Sequence, residues 1–164
     1  MRLILIFGVL GTLLLNLYSC KTGNSKGLGE KSTNYNHPVR VLYMSSIEAF
    51  NQGKLDSFLG NFDSDIRMYG TDGTYFGIDA LRERFADVFK QFPNVRMEIL
   101  ELDLEILSDE IVLVDFKWKV YPMGQGPSYS GLGSGIYLYQ DDNWTEILEA
   151  EKVTHIDKEL ARPE

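Results

Sequence analysis

The sequence predicts an α+β domain in which three N-terminal helices pack on one face of a strongly bent, mostly antiparallel sheet. Apolar residues recur at helical spacing up to Phe92 and with a period of two from Val95 onward. Helices and strands are therefore segregated along the chain rather than alternating, which argues against a parallel βαβ arrangement. Within the first long strand the apolar phase slips by one residue, from Val95, Met97 and Ile99 to Leu100, Leu102, Leu104 and Ile106. A one-residue slip is the signature of a β-bulge, and a bulge bends a sheet.

The elements follow in order. Val39, Leu42, Tyr43, Ile47 and Phe50 form the apolar stripe of a first helix, with Pro38 suited to its first turn and Gly53 to its C-terminal cap. Leu55, Phe58, Leu59 and Phe62 mark a short second helix. Asp65–Gly70 has the pattern of a brief strand, and Thr71–Gly77 is rich in turn residues. Ile78, Leu81, Phe85, Val88, Phe89 and Phe92 make the clearest amphipathic helix, ended by Pro93. After the bulged strand, Ser108-Asp109-Glu110 turns the chain into Val112, Val114, Phe116, Trp118 and Val120, which alternate with Asp115, Lys117 and Lys119. A loop over Pro122–Ser128 leads to a strand over Tyr129–Gln140. Asp141-Asp142-Asn143 then turns into a last strand from Trp144 to about Ile156.

The N-terminus carries an address. Residues 3–15 are almost purely aliphatic behind Arg2, which is the pattern of a secretory signal and too short for the ~20 residues of a spanning helix. Leu17-Tyr18-Ser19-Cys20 resembles the bacterial lipobox, with Tyr18 larger than the residue usual at its position. The division expected is a signal peptide over 1–19, an acylated Cys20 and flexible tether over 20–37, and one domain over 38–164. Residues 21–37 are mostly Gly, Ser, Thr, Asn and Lys, too polar to offset their ordering entropy. Cys20 is the only cysteine, so no disulfide is available within the chain. With 16 basic and 24 acidic residues the net charge is −8, which disfavours nucleic acid as a partner and leaves lipid on Cys20 as the expected means of holding a membrane. The expected location is the cell envelope of a bacterium.

The order Phe50-Asn51-Gln52-Gly53-Lys54-Leu55-Asp56, then Asp65-Ile66-Arg67-Met68-Tyr69, then Gly77-Ile78-Asp79-Ala80-Leu81, closing on Asp142-Asn143-Trp144, resembles the nuclear-transport-factor-2-like superfamily and, within it, the SnoaL-like domains. The resemblance covers about residues 38–156. It implies a cone, a bent sheet wrapped around helices and open at one end to a pocket, often dimeric through the sheet. Isomerases, cyclases, dehydratases, binding domains and scaffolds share that fold, so fold does not give function. Ketosteroid-isomerase-like members carry a tyrosine where this chain has Ser46 and a proton-moving aspartate where it has Gly70. Asp72 could serve as the base only if its loop were shifted.

Candidate pocket residues are Tyr43, Tyr69, Tyr75, Trp118, Glu149, Glu151 and His155, an aromatic set with a few polar anchors. The plainer alternative makes Tyr69 and Trp118 ordinary core aromatics and His155 a strand-end residue. Asp72 and His155 are the two weak catalytic candidates. No cofactor is expected, and one histidine beside carboxylates is a poor metal set, so no metal site is assigned. Glu146, Glu149 and Glu151, like Glu98, Glu101, Asp103 and Glu105, also fit solvated strand faces. Gly131, Gly133 and Gly135 lie on one strand face, where they are expected to let the outer sheet faces of two copies approach as a homodimer. The primary functional expectation is a lipid-anchored binding or accessory domain for a small apolar or carbonyl compound. Two alternatives remain: a cofactor-independent SnoaL-like enzyme, and an interaction scaffold with a filled cone. An open cavity holding a carboxyl of raised pKa favours the enzyme.

Overall fold

In a computed structural model, residues 31–32, 36–122 and 126–158 are described. The expected signal peptide and acylated Cys20 lie outside the described residues, as does most of the expected tether. Two residues of that tether segment, Lys31–Ser32 (β1), pair antiparallel with Leu104 and Glu105, and His37 caps the first helix by accepting a hydrogen bond from Val39 N at 3.2 Å.

The first helix, α1, spans Pro38–Asn51. Its buried face is Val39, Tyr43, Ser46, Ile47, Ala49 and Phe50, and Gly53 just beyond it takes φ +65°, the left-handed conformation glycine adopts without strain. The short helix α2, Leu55–Leu59, buries Phe58 and Leu59. Phe62 does not belong to it and instead opens β2, Phe62–Tyr69, which forms a hairpin with β3, Thr74–Phe76. The segment read as a turn thus holds a short edge strand. Helix α3, Ile78–Gln91, follows. The long strands are β4 Arg96–Ser108, β5 Ile111–Tyr121, β6 Ser128–Gln140 and β7 Asn143–Asp157.

The sheet order is β1-β4-β5-β6-β7-β2-β3. The antiparallel meander β4–β7 is as expected, and the register break between Ile99 and Glu101 leaves Leu100 as the extra residue of the bulge. Leu100 itself is exposed, so the new inward phase starts at Leu102. One feature departs from the local pattern: β2 joins β7 in parallel. That pairing joins strands far apart in sequence and has no hairpin to announce it.

Two clusters of buried side chains fill the concave side. One, around Phe50, Phe58, Ile66, Met68 and Phe85, packs the helices on β2. The other, around Tyr43, Leu104, Val114, Phe116, Trp118 and Tyr137, packs α1 on β4, β5 and β6. The three glycines of β6 face this concave side. A Cβ at Gly131 would overlap the Trp118 ring, at Gly133 the Phe116 ring, and at Gly135 the Glu146 carboxyl. The stripe is therefore space for inward rings and not a smooth outer surface. The close approach expected between outer faces has no glycines to rest on.

Candidate functional site

Between the two clusters lies a cavity of ≈ 600 Å³. Its walls combine Tyr43, Phe116 and Trp118 from one cluster with Phe50, Phe58 and Phe85 from the other. Phe58 packs edge-on to Phe85 at 4.7 Å between ring centroids, and Tyr43 lies 5.2 Å from Phe116. The volume suits a small organic molecule, and the lining is mostly aromatic.

Into this apolar space β7 projects three carboxyls, those of Glu146, Glu149 and Glu151. Glu146 is 1% exposed and Glu149 7%, and the Glu151 side chain is 9% exposed. The reading of these three as a solvated strand face is overturned. An uninterrupted strand would place Glu146 opposite to Glu149 and Glu151. The register breaks, however: Tyr137 pairs with Glu146 while Ile136 pairs with Leu148, so Ile147 is a bulge. Space comes from β6, where Gly135 stands opposite Glu149 and Gly133 opposite Glu151. The spacing of three and then two in Glu146, Glu149 and Glu151, facing a period-two glycine stripe, is the signal in the sequence that could have found them. Glu98, Glu101 and Asp103 are exposed as expected.

Burial governs the chemistry of the row. It pushes Glu146 up to about 8, although the hydrogen bond donated by Tyr137 Oη to Oε2 at 2.9 Å works the other way. Glu149 is pushed well above the usual carboxylate range by burial and then by the negative charges of Glu146 and Glu151. Glu151 is raised by burial, with Arg84 opposing. Tyr43 and Tyr137 stay phenols, driven up by burial and by the glutamates. Glu146 Oε1 has no hydrogen-bond partner among the described residues.

Arg84 of α3 closes the row. Its Nη2 lies 3.0 Å from Asp72 Oδ1 and 4.0 Å from Glu151 Oε2, and its Nη1 lies 2.8 Å from Met68 Sδ. Tyr75 and Phe85 flank the guanidinium at 5.0 and 4.6 Å. Asp72, 52% exposed, stands at the solvent edge of the cavity.

Of the predicted pocket residues, Tyr43, Trp118, Glu149 and Glu151 line the cavity, joined by Asp72. Three are corrected. Tyr69 is 45% exposed and packs on Phe76 outside the cavity, because the strand alternation that buries Met68 turns its neighbour outward. Tyr75 is half-buried and supports Arg84 instead of lining the wall. His155 is exposed near the end of β7, so it has no catalytic position in the cavity. Ser46 lines the cavity with its hydroxyl donated to Phe58 O at 3.0 Å. The isomerase acid position is thus tied up structurally, and Gly70 offers no carboxylate. Tyr43, one helical turn before Ser46, and Glu149 from the opposite strand supply a hydroxyl and a carboxyl by another route.

Comparison with solved structures finds the same fold at low sequence identity. A type 2 hexachlorocyclohexane dehydrochlorinase superposes with a TM-score of 0.68 at 13% identity, over 76% of this chain and 88% of the other. A putative scytalone dehydratase from Novosphingobium aromaticivorans gives 0.63 at 12%, over 77% and 93%. A nuclear-transport-factor-2-like protein of unknown function from Pseudomonas putida gives 0.65 at 14%, over 75% and 89%. No curated protein matches. A SnoaL-like domain model matches residues 45–147, which contain Phe50, Phe58, Phe85 and Glu146, and the chain belongs to the SnoaL-like family of the nuclear-transport-factor-2-like fold.

Proposed function

We propose that this chain is a cofactor-independent acid–base protein that acts on a small, largely apolar molecule held in its cone. The observation that carries the reading is the row of Glu146, Glu149 and Glu151 on an otherwise aromatic wall of a ≈ 600 Å³ cavity. Burial keeps protons on Glu146 and Glu149, and Arg84 favours the ionised form of Glu151, so proton-bearing carboxyls share a wall with one held toward its charged form. That pairing is what proton abstraction and protonation of a leaving group require. Glu149 gives its proton to the leaving group, Glu151 beside Arg84 takes the substrate proton, and the Tyr43 hydroxyl orients an oxygen of the substrate. The names of two similar structures, a dehydrochlorinase and a putative dehydratase, denote eliminations compatible with such groups.

The test is a screen of small carbonyl and hydroxyl compounds for binding and turnover, repeated on Glu149→Gln. The expected outcome is retained binding with turnover lowered by ~10²-fold or more. Binding without turnover in the wild type would return the protein to a binding or accessory role. An ordinary carboxylate titration of Glu149, followed by carbon NMR, would end the acid–base reading.

We further propose that the domain works in the cell envelope, held by lipid on Cys20. The lipobox-like Leu17–Cys20 motif supports this. Cys20→Ser is expected to abolish acyl labelling and release the chain from the membrane fraction; unchanged label and partition would refute the anchor.

A further inference from the structure

We propose that the cavity selects an organic cation, a protonated or quaternary amine on an apolar body, seated against Glu146 and Glu149 with its body on the Trp118 and Tyr43 rings. The inference rests on the cavity described above as the functional site and names its ligand class. Its grounds are charge balance and unmet hydrogen bonding. Of the four carboxyls on the wall, Glu146, Glu149, Glu151 and Asp72, only Asp72 has a close ion pair, with Arg84 at 3.0 Å; Glu151 stands 4.0 Å from the same guanidinium. Among the described residues, Arg84 is the single Lys or Arg of the lining. Glu146 and Glu149 therefore have no cationic partner among the described residues of the cavity. An anionic ligand would meet three carboxyls, whereas a cation would supply the counter-charge that the fold omits.

A second observation is independent of charge. Two polar atoms on buried wall residues lack partners among the described residues, Glu146 Oε1 and Trp118 Nε1, on side chains 1% and 4% exposed. Buried polar atoms are seldom left unsatisfied without cause. An N–H of an amine answers the first, and an acceptor elsewhere on the ligand answers the second. Electron-rich faces of Tyr43, Trp118 and Phe116 add the surroundings in which ammonium groups are bound in water.

Binding must then displace a proton. The groups facing Glu149 are Glu146 and Glu151 on its own strand, Tyr137 on β6, Tyr43 on α1 and Arg84 on α3, with Asp72 behind Arg84. Arg84 alone favours the ionised form of Glu149. In the empty cavity burial keeps both carboxyls protonated; an ammonium seated against them favours their ionised form, and a proton leaves to solvent.

Calorimetry on the full-length chain with benzyltrimethylammonium, benzyl alcohol and benzoate tests this. At pH 9 the ammonium is expected to bind about tenfold or more tighter than benzyl alcohol, with benzoate weakest at every pH. Its advantage should shrink on going to pH 6, and at pH 7.5 the heats in two buffers of different ionisation enthalpy should reveal about one proton released per ligand. Glu149→Gln and Glu146→Gln, both near-isosteric, should each reduce the ammonium preference while benzyl alcohol binding persists. Equal or better binding of benzyl alcohol or benzoate at pH 9 overturns the proposal, as does a preference unchanged in both variants or the binding of none of the three probes. A preference for the neutral probe would leave the proton-transfer reading standing, because that reading is decided by the titration of Glu149 and by turnover.

Discussion

Gly133 shows how a single residue sets the interior. It faces Phe116 across the β5–β6 ladder, and a Cβ there would overlap the ring. Both partners sit in backbone ladders, so neither can retreat without disturbing the sheet. Overfilling a packed site costs ~1–3 kcal/mol, and Gly133→Ala is expected to destabilise by that amount in urea titration. The neighbouring outward-facing Leu132, 45% exposed, should tolerate Ala with an effect within ~0.5 kcal/mol. Equal effects at the two positions would refute the inward placement of the stripe. The period-two glycines were visible in the sequence, but the face they occupy was not, since alternation fixes two faces without saying which is inside.

At the scale of elements, the β6–β7 hairpin and the bulge four residues into β7 decide where the carboxyls point. Gln140 pairs with Asn143, leaving a two-residue loop of Asp141 and Asp142 at φ 52° and 61°. Positive φ at both positions is the type I′ turn, which matches the twist of a hairpin and prefers Asn-Gly. The turn was legible in the sequence as an Asp-Asp-Asn cluster. Replacing Asp141-Asp142 by Asn-Gly should raise stability by ~0.5–1 kcal/mol, since Asp tolerates the left-handed region less well than Gly. A lowered denaturation midpoint would contradict that geometry. The bulge at Ile147 was not legible. Its flanking residues, Glu146-Ile147-Leu148-Glu149, carry no glycine or turn signal, and only pairing with Tyr137 and Ile136 exposes the extra residue. Leu100 contrasts with it, because there an unbroken apolar alternation changes phase on the page.

For the whole molecule, buried carboxyls reverse the usual dependence of stability on pH. Glu146 titrates at about 8 when folded against 4.5 ordinarily, so the folded state holds a proton that the unfolded chain has lost. This contribution is complete below pH 4.5 and is lost as pH rises toward 8, with a limiting slope of ~1.4 kcal/mol per pH unit per carboxyl. Glu149 and Glu151 are shifted in the same direction. The melting temperature is therefore expected to fall between pH 5 and pH 8. A net charge of −8 would lower it in the same sense, so Glu146→Gln provides the control: the fall should become shallower. A flat or rising profile in the wild type would refute the buried, proton-holding row.

By itself the sequence determined the α+β class, the helices over 38–51 and 78–91, the meander with its bend at Leu100, and the family resemblance, because these rest on local periodicity and on residues such as Pro38 and Gly53 whose backbone preferences act in place. It also marked Tyr43, Trp118 and Glu149, whose types suit a pocket wherever they fall. Tertiary structure alone decided that β2 would lie parallel to β7, that the β6 glycines would face inward, that Tyr69 and His155 would face away, and that Glu146, Glu149 and Glu151 would share one wall. A glutamate is soluble on a strand face and titratable in a cavity, and its identity is the same in both. Which of the two it becomes depends on a bulge and on the absence of side chains on the neighbouring strand, and both are properties of pairing between segments.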